Sequence, residues 1–179
     1  MMGERFARRH VAELVGVLIG AALVVSSATP ARADAGGGEN CGVFLETGLT
    51  ICAPAGDDLH AAVTAQTGYT IVDGDETDAG RATTVSYLLA RLYDNADYGG
   101  AYYEVWGSSG CSSAVGVRGV ADIGVGWYGR VSSFQGFSSC RVKVWQNTSF
   151  TGSSVGFASS SSYVGAVMND QTRSVQVVY

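Results

Sequence analysis

Residues 93–100 read YDNADYGG, and the same pattern returns at residues 145–152 as WQNTSFTG. Each copy contains two aromatic residues and a glycine at fixed spacing, and all three positions are displaced by 52 residues. The residues are Tyr93, Tyr98 and Gly100 in the first copy and Trp145, Phe150 and Gly152 in the second. This pattern predicts a strand ending in a tightly folded turn, with the two rings packed together and the glycine at positive φ. The repeat indicates two copies of one supersecondary unit.

A second pattern follows each copy, as YGRVSS at residues 128–133 and NDQTRS at residues 169–174. Together the two patterns resemble the signature of the βγ-crystallin Greek-key motif. That signature ends in two Asn or Asp, two free positions, Ser or Thr, and Ser. The resemblance covers about residues 88–179 and implies two motifs that form one domain. We expect Ser133 and Ser174 to hydrogen-bond the folded turn of their own motif.

From Val85 onward, β-branched and aromatic residues alternate with Gly and Ser turn signals, a pattern typical of an antiparallel sandwich. In the segment AYYEVWG, Tyr103 and Val105 fall on one face, whereas Tyr102, Glu104 and Trp106 fall on the other. The predicted fold class is therefore mainly β, a βγ-crystallin-like Greek-key sandwich over residues 88–179.

Residues 34–87 are predicted to form a separate N-terminal segment of unknown type, which contains a small disulfide-closed hairpin and one short helix. The hairpin spans Cys41–Cys52 around Thr47 and Gly48. In the helix, Asp57 or Asp58 is expected to cap the start and Gly68 to end it. Before the hairpin, residues 34–40 have the composition of a flexible leader.

Residues 1–33 have the features of a secretory signal peptide: arginines near the start, an apolar run over residues 14–25 and small residues at the cleavage sites. Twelve apolar residues are too few for a membrane-spanning helix, which needs roughly 20. We expect cleavage after Ala33 or Ala35 and a secreted, extracellular protein.

Beyond Ala33 the chain carries seven basic and fourteen acidic residues, a net charge of −7. This excess of negative charge argues against nucleic acid or anionic membranes as partners.

All four cysteines lie in the part of the chain beyond Ala33, and an even number in an exported chain predicts two disulfides. Four cysteines allow three pairings. We favour Cys41–Cys52 with Cys111–Cys140 because each bridge then stays within its own segment.

The acidic run from Asp73 to Asp78 lacks the glycine and glutamate of an EF-hand and is predicted to be a solvated turn.

In the calcium-binding members of the family that these motifs resemble, the second pattern supplies oxygen ligands, and each site is built from both motifs. Here Tyr128 and Gly129 supply no side-chain carboxylate, and Arg173 replaces a hydroxyl. We therefore expect no cofactor apart from calcium at one weak, degenerate site, where Ser132 faces Asp170.

We expect no catalysis. His60 is the single histidine beyond Ala33, and it has no neighbouring serine or free cysteine in the sequence. A hydrolase based on paired carboxylates is the enzymatic alternative, but turn and surface roles explain the candidates more simply: Asp94, Asp97, Glu104 and Asp122.

The resemblance extends to crystallin-type peptidase inhibitors, notably of metalloproteinases, and this implies a secreted protease as partner. The candidate inhibitory loop is Gly107–Gly126, which carries the apolar pair Val115 and Val117. Its long Gly/Ser-rich sequence is equally typical of a partly disordered loop. The alternatives for function are a structural or stress module of the cell envelope with at most weak calcium binding, and a killer-toxin-like module.

Overall fold

The computed structural model describes residues 38–74 and 84–179. The predicted signal peptide, most of the predicted leader and the acidic residues Asp75, Glu76 and Asp78 lie outside these ranges. Within them the chain forms eleven strands and one α-helix. In chain order they are β1 (Glu39–Phe44), β2 (Thr50–Pro54), α1 (Leu59–Thr67), β3 (Thr70–Val72), β4 (Val85–Tyr93), β5 (Tyr102–Gly107), β6 (Arg118–Val120), β7 (Ser133–Gly136), β8 (Arg141–Trp145), β9 (Ser154–Ala158), β10 (Ser160–Ser161) and β11 (Ser174–Val178).

The strands form two sheets. The larger has the order β10-β7-β4-β5-β1-β2, with β3 also paired to β4, and the smaller has the order β6-β11-β8-β9. Strand β6 follows the first hairpin in sequence but pairs with β11 in the smaller sheet. Reciprocally, β10 follows the second hairpin but pairs with β7 in the larger sheet. The motifs thus exchange a strand, and the predicted class of crystallin-like Greek-key sandwich is confirmed.

The two quoted stretches form folded hairpins of the same shape. Gly100 and Gly152 have φ values of 81° and 80°. A Cβ at either position would lie 2.8 Å from the Nδ2 atom of an asparagine, Asn95 or Asn147. In the first hairpin the rings of Tyr93 and Tyr98 pack edge to face, with centroids 5.8 Å apart. The positive φ and the lack of room both favour glycine at the end of each turn.

Each hairpin is fixed by a serine from a later strand. The Ser133 hydroxyl donates to Asn95 O at 2.6 Å and accepts from Tyr98 N at 3.1 Å. The Ser174 hydroxyl makes the same bonds to Asn147 O and Phe150 N, also at 2.6 and 3.1 Å. Both serines are completely buried. The predicted bonds within each motif are therefore present.

We predict that Ser133→Ala and Ser174→Ala each lower the free energy of unfolding by about 1–3 kcal/mol, since each leaves buried backbone groups unpaired. Urea denaturation monitored by tryptophan fluorescence measures the change. The exposed Ser113→Ala variant is the matched control and should stay near wild type. A wild-type midpoint for both buried variants would show that the hydroxyls do not stabilise the hairpins.

The predicted N-terminal hairpin and helix are present. Strands β1 and β2 pair with Cys41 opposite Cys52, and a disulfide joins these residues. Helix α1 begins after Asp58, whose Oδ1 accepts from Ala61 N at 3.1 Å, and ends at Gly68, where φ is 76°. The predicted flexible leader is shorter than expected, because Glu39 and Asn40 already belong to β1.

This N-terminal segment is built into the larger sheet. Strand β1 runs parallel to β5, with Cys41 opposite Tyr103, and the boundary predicted between residues 87 and 88 falls inside β4. The described residues 38–74 and 84–179 belong to one compact unit. A β-sheet edge that would otherwise be exposed is thereby paired.

The two faces of the larger sheet bury separate apolar clusters. The inner face packs against the smaller sheet through residues that include Tyr103, Val105 and Phe134. On the outer face, helix α1 packs Leu59 and Val63 over a second cluster that includes Phe44 and Trp106. The predicted alternation along β5 is correct, and both of its faces are covered.

Candidate functional site

The first motif contains an insertion that the second lacks. Gly100 and Ser133 are 33 residues apart, whereas the equivalent Gly152 and Ser174 are 22 apart, so the first motif has 11 additional residues. These fall in the predicted loop Gly107–Gly126, which makes contacts with the rest of the domain at both ends.

The start of the loop is held by Glu46, from the turn between β1 and β2. Its Oε1 accepts from the Ser108 backbone N–H and hydroxyl, both at 2.8 Å. Burial raises the pKa of Glu46, but these two hydrogen bonds and the charge of Arg118 outweigh it and lower the pKa below its ordinary value. The carboxylate is thus ionised at neutral pH and anchors the first residues of the loop.

The middle of the loop is held by hydrogen bonds within the loop and by a disulfide to the rest of the domain. A disulfide joins Cys111 to Cys140, the partner predicted from sequence, with their Cα atoms 5.0 Å apart. The Arg118 Nη2 atom donates to Ser109 O at 2.9 Å and to Gly110 O at 3.2 Å. Beyond this point β6 pairs with β11. The segment from Cys111 to Arg118 is therefore closed at its base.

The two candidate valines differ in exposure. Val115 is half-buried, and its N–H donates to Ser112 O at 3.0 Å in a tight turn. Val117 has 52% of its surface exposed. Of the predicted apolar pair, Val117 is therefore the side chain that points outward, and Val125 of the same loop is 83% exposed.

The predicted degenerate cation site brings together the expected pair. Ser132 Oγ lies 3.4 Å from Asp170 Oδ1, and Asn169 Nδ2 donates to Asp170 Oδ2 at 2.7 Å. Asp170 has a φ of 58°, so its backbone lies in the left-handed region of conformational space. One hydroxyl and one carboxylate are a small part of the six to eight oxygens that calcium prefers.

At the equivalent place in the other motif, the protein supplies its own cation. The Arg173 guanidinium lies 5.0 Å from the centre of the Tyr128 ring. The Tyr128 hydroxyl donates to Asp122 Oδ1 at 2.6 Å. That bond, the Gly124 N–H and the charge of Arg173 lower the pKa of Asp122. A side-chain cation and a hydrogen-bonded tyrosine therefore occupy this place.

Among residues 38–74 and 84–179, the one group of three side chains that resembles a metal site is Glu39 with Cys41 and Cys52. Both sulfur atoms of this group are already joined in a disulfide. The group therefore lacks the thiolates that bind transition metals.

A buried charge network under helix α1 was not foreseen. Glu104 was expected in a turn or surface role, but it is completely buried. Its Oε2 accepts from His60 Nε2 at 2.7 Å and from Trp106 Nε1 at 2.6 Å, and its Oε1 lies 2.6 Å from Arg91 Nη2. The expectation failed because the outward face of β5 is covered by α1. The one available signal was an acid in the apolar alternation of β5.

The network shifts the pKa values of its members in opposite directions. Burial lowers the pKa of His60, but its hydrogen bond to Glu104 and the charge of that carboxylate raise it above 6.5 overall. Burial raises the pKa of Glu104, but the His60 hydrogen bond and the nearby cations lower it below 4.5 overall. At moderately acid pH one buried anion therefore faces two cations.

We predict that stability is greatest between about pH 4.5 and 6.5. Below this window Glu104, with its lowered pKa, loses its stabilising charge; above it His60, with its raised pKa, loses its proton. The variant His60→Gln should remove the decline in stability above pH 6.5. The variant Glu104→Gln should lower the free energy of unfolding by about 3–5 kcal/mol, because it leaves Arg91 without its buried partner. Urea unfolding from pH 4 to 8.5 measures both effects. Equal slopes above pH 6.5 for wild type and His60→Gln would contradict the first prediction.

No family model matches the chain, and no curated protein matches it. Several solved structures, including the following three, are similar over about half of it. A clostrillin double mutant in complex with nickel is 22% identical, with 51% of this chain and 98% of that chain covered and a TM-score of 0.39. A betagamma-crystallin domain from Clostridium beijerinckii is 22% identical, with 50% and 97% covered and a TM-score of 0.38. One from Flavobacterium johnsoniae is 20% identical, with 50% and 93% covered and a TM-score of 0.37.

These likenesses are low in identity and TM-score. The fold assignment depends instead on the duplicated hairpins, the two buried serines and the exchanged strands of this chain. On those features the chain contains a βγ-crystallin-like Greek-key domain, extended on one sheet by the N-terminal hairpin.

Proposed function

We propose that the chain is a secreted, non-enzymatic βγ-crystallin-like module that inhibits a secreted peptidase through the loop Gly107–Gly126. The observation that carries the proposal is the anchoring of this loop by a disulfide, a hydrogen-bonded carboxylate and a paired strand, with the side chain of Val117 exposed. A loop that is ordered before binding loses little conformational entropy on association, and this favours affinity.

The environments of the titratable groups support a non-enzymatic role. His60 Nε2 is bonded to Glu104. Asp94 is paired with Arg130, with Nη2 and Oδ2 2.6 Å apart, and Asp122 accepts from Tyr128. Each group thus has a partner that explains its position without a substrate.

Two disulfides support export, since such bridges persist in oxidising compartments. Within the described ranges, no helix is long and apolar enough to cross a membrane.

We predict that oxidised protein spanning residues 34–179 inhibits at least one secreted metallo- or serine peptidase stoichiometrically, and that deletion of Val115–Val117 abolishes inhibition. Residual peptidase activity against a panel measures both effects. The matched control is Val167→Ala, which alters a valine that is 71% exposed outside the loop. An intact, oxidised protein that inhibits no peptidase at micromolar concentration would overturn the proposal.

The Ser132–Asp170 pair supports a second candidate function, a structural envelope module with weak calcium binding. We predict that 10 mM calcium raises the melting temperature by about 3–6 °C if the dissociation constant is about 1 mM. Asp170→Asn should remove this shift because it removes the carboxylate charge. A calcium shift that persists in Asp170→Asn would place the cation elsewhere.

A further inference from the structure

We propose that His60 and Glu104 form a pH-sensitive latch that holds helix α1 on the larger sheet, and that α1 opens locally above neutral pH while the sandwich stays folded. The pH dependence of global stability involves the whole domain, whereas this latch controls one helix and the apolar cluster beneath it. The inference does not depend on the inhibitory function.

Helix α1 depends on its docking for stability. It spans nine residues, Leu59–Thr67, and isolated helices shorter than about 12–15 residues are marginal in water. Its two completely buried side chains, Leu59 and Val63, pack over the second cluster, which includes Phe44 and Trp106. The other side chains of α1 are half-buried or exposed. Segments with few buried apolar contacts open at low free energy, so α1 is suited to local opening.

One polar contact joins the side chains of α1 to the sheet. His60 Nε2 lies 2.7 Å from Glu104 Oε2, and within the described ranges this is the one hydrogen bond from a side chain of α1 to another helix or strand. The bonds made by Thr64 and Thr67 stay within the helix or reach Tyr69 just beyond it. A change of charge at His60 therefore acts directly on the docking of α1.

The other charged and titratable groups around His60 keep their charge states near neutral pH. Glu104 is completely buried on β5 and also binds Arg91 from β4, so it stays ionised. Tyr102 on β5, whose pKa is raised by burial, stays neutral and lies beneath the Arg91 guanidinium. Asp58, at the start of α1, favours the protonated imidazole. Strands β2 and β3, which also pack against α1, carry no acidic, basic or histidine side chain.

Deprotonation of His60 weakens the latch. Burial and the charge of Arg91 lower the pKa of His60, but the hydrogen bond and charge of Glu104 raise it above 6.5 overall. Because the docked helix holds the proton more tightly than the open one, docking is strongest below pH 6.5 and weakens as pH rises through the raised pKa. The neutral imidazole can still donate from Nε2, but it no longer offers a positive charge to the buried carboxylate.

A cleft beside the end of α1 leaves that end of the helix uncovered. It has a volume of about 360 Å³, and its lining includes Gln66 of α1, Leu49 of the turn between β1 and β2, and Tyr69. Leu49 is 48% exposed and Tyr69 is 37% exposed. Opening of α1 uncovers Phe44 and Trp106, which are 6% and 0% exposed while the helix is docked. The latch therefore controls the exposure of an apolar surface.

Hydrogen exchange of the oxidised protein, measured by NMR, tests the latch. Rates are expressed as protection factors, which removes the intrinsic effect of pH on exchange. In wild type the amides of residues 62–67 should have protection factors at least about 10-fold below those of β4, and their exchange should depend little on low urea concentrations, because the opening is local. Their protection factors should fall about 5-fold between pH 6 and pH 8.5.

The variant His60→Gln keeps a hydrogen-bond donor but cannot carry a charge. In this variant the protection factors of α1 should be low at both pH values, and the 5-fold fall should disappear. The matched control is Ala65→Gln, which introduces the same side chain at an exposed position of α1 and should behave as wild type does.

Equal protection factors for α1 and β4 in wild type would overturn the inference, since α1 would then open only with the whole domain. Wild-type protection factors of α1 that do not change with pH, or a fall that persists in His60→Gln, would overturn it as well. If His60→Gln does not fold, the wild-type comparisons of α1 with β4 and of pH 6 with pH 8.5 still decide the question.

Discussion

The sandwich depends on two buried serine hydroxyls. Ser133 and Ser174 each donate to a backbone carbonyl and accept from a backbone N–H within a folded hairpin. The hairpin tips contain residues at positive φ, including Asp97, Tyr98, Ser149 and Phe150. For non-glycine residues this backbone is costly, on the order of 1 kcal/mol each, and it persists only where surrounding contacts determine it. The serines provide those contacts, and each folded hairpin then closes one end of its motif.

Much of the fold could be predicted because its signals are local. The glycines at 100 and 152, the caps of α1 at Asp58 and Gly68, and the cysteine pairing are all found where the sequence indicated. Each depends on a turn, a helix end or a short loop. For such features the backbone chemistry of a few residues determines the outcome.

What the sequence did not reveal depends on contacts between distant segments. Glu104 was assigned to the surface because nothing local shows that α1, some 40 residues earlier, covers its face of β5. The parallel pairing of β1 with β5 likewise joins segments from two predicted domains. The candidate site shows the same limit. The pair Ser132 and Asp170 was implied by the resemblance to the crystallin motif, whereas the anchoring of the loop by Glu46 and Arg118 required the folded chain.

The insertion in the first motif turns a duplicated structural unit into an asymmetric one. Its anchors come from three places: the N-terminal hairpin through Glu46, the turn between β7 and β8 through Cys140, and the last strand, β11. A binding role requires that these anchors keep the loop rigid in the free protein. Backbone NMR order parameters for residues 107–126 test this most directly. We predict order parameters of about 0.85, as in the strands. Order parameters below about 0.6 from Cys111 to Arg118 would contradict a preorganised binding loop.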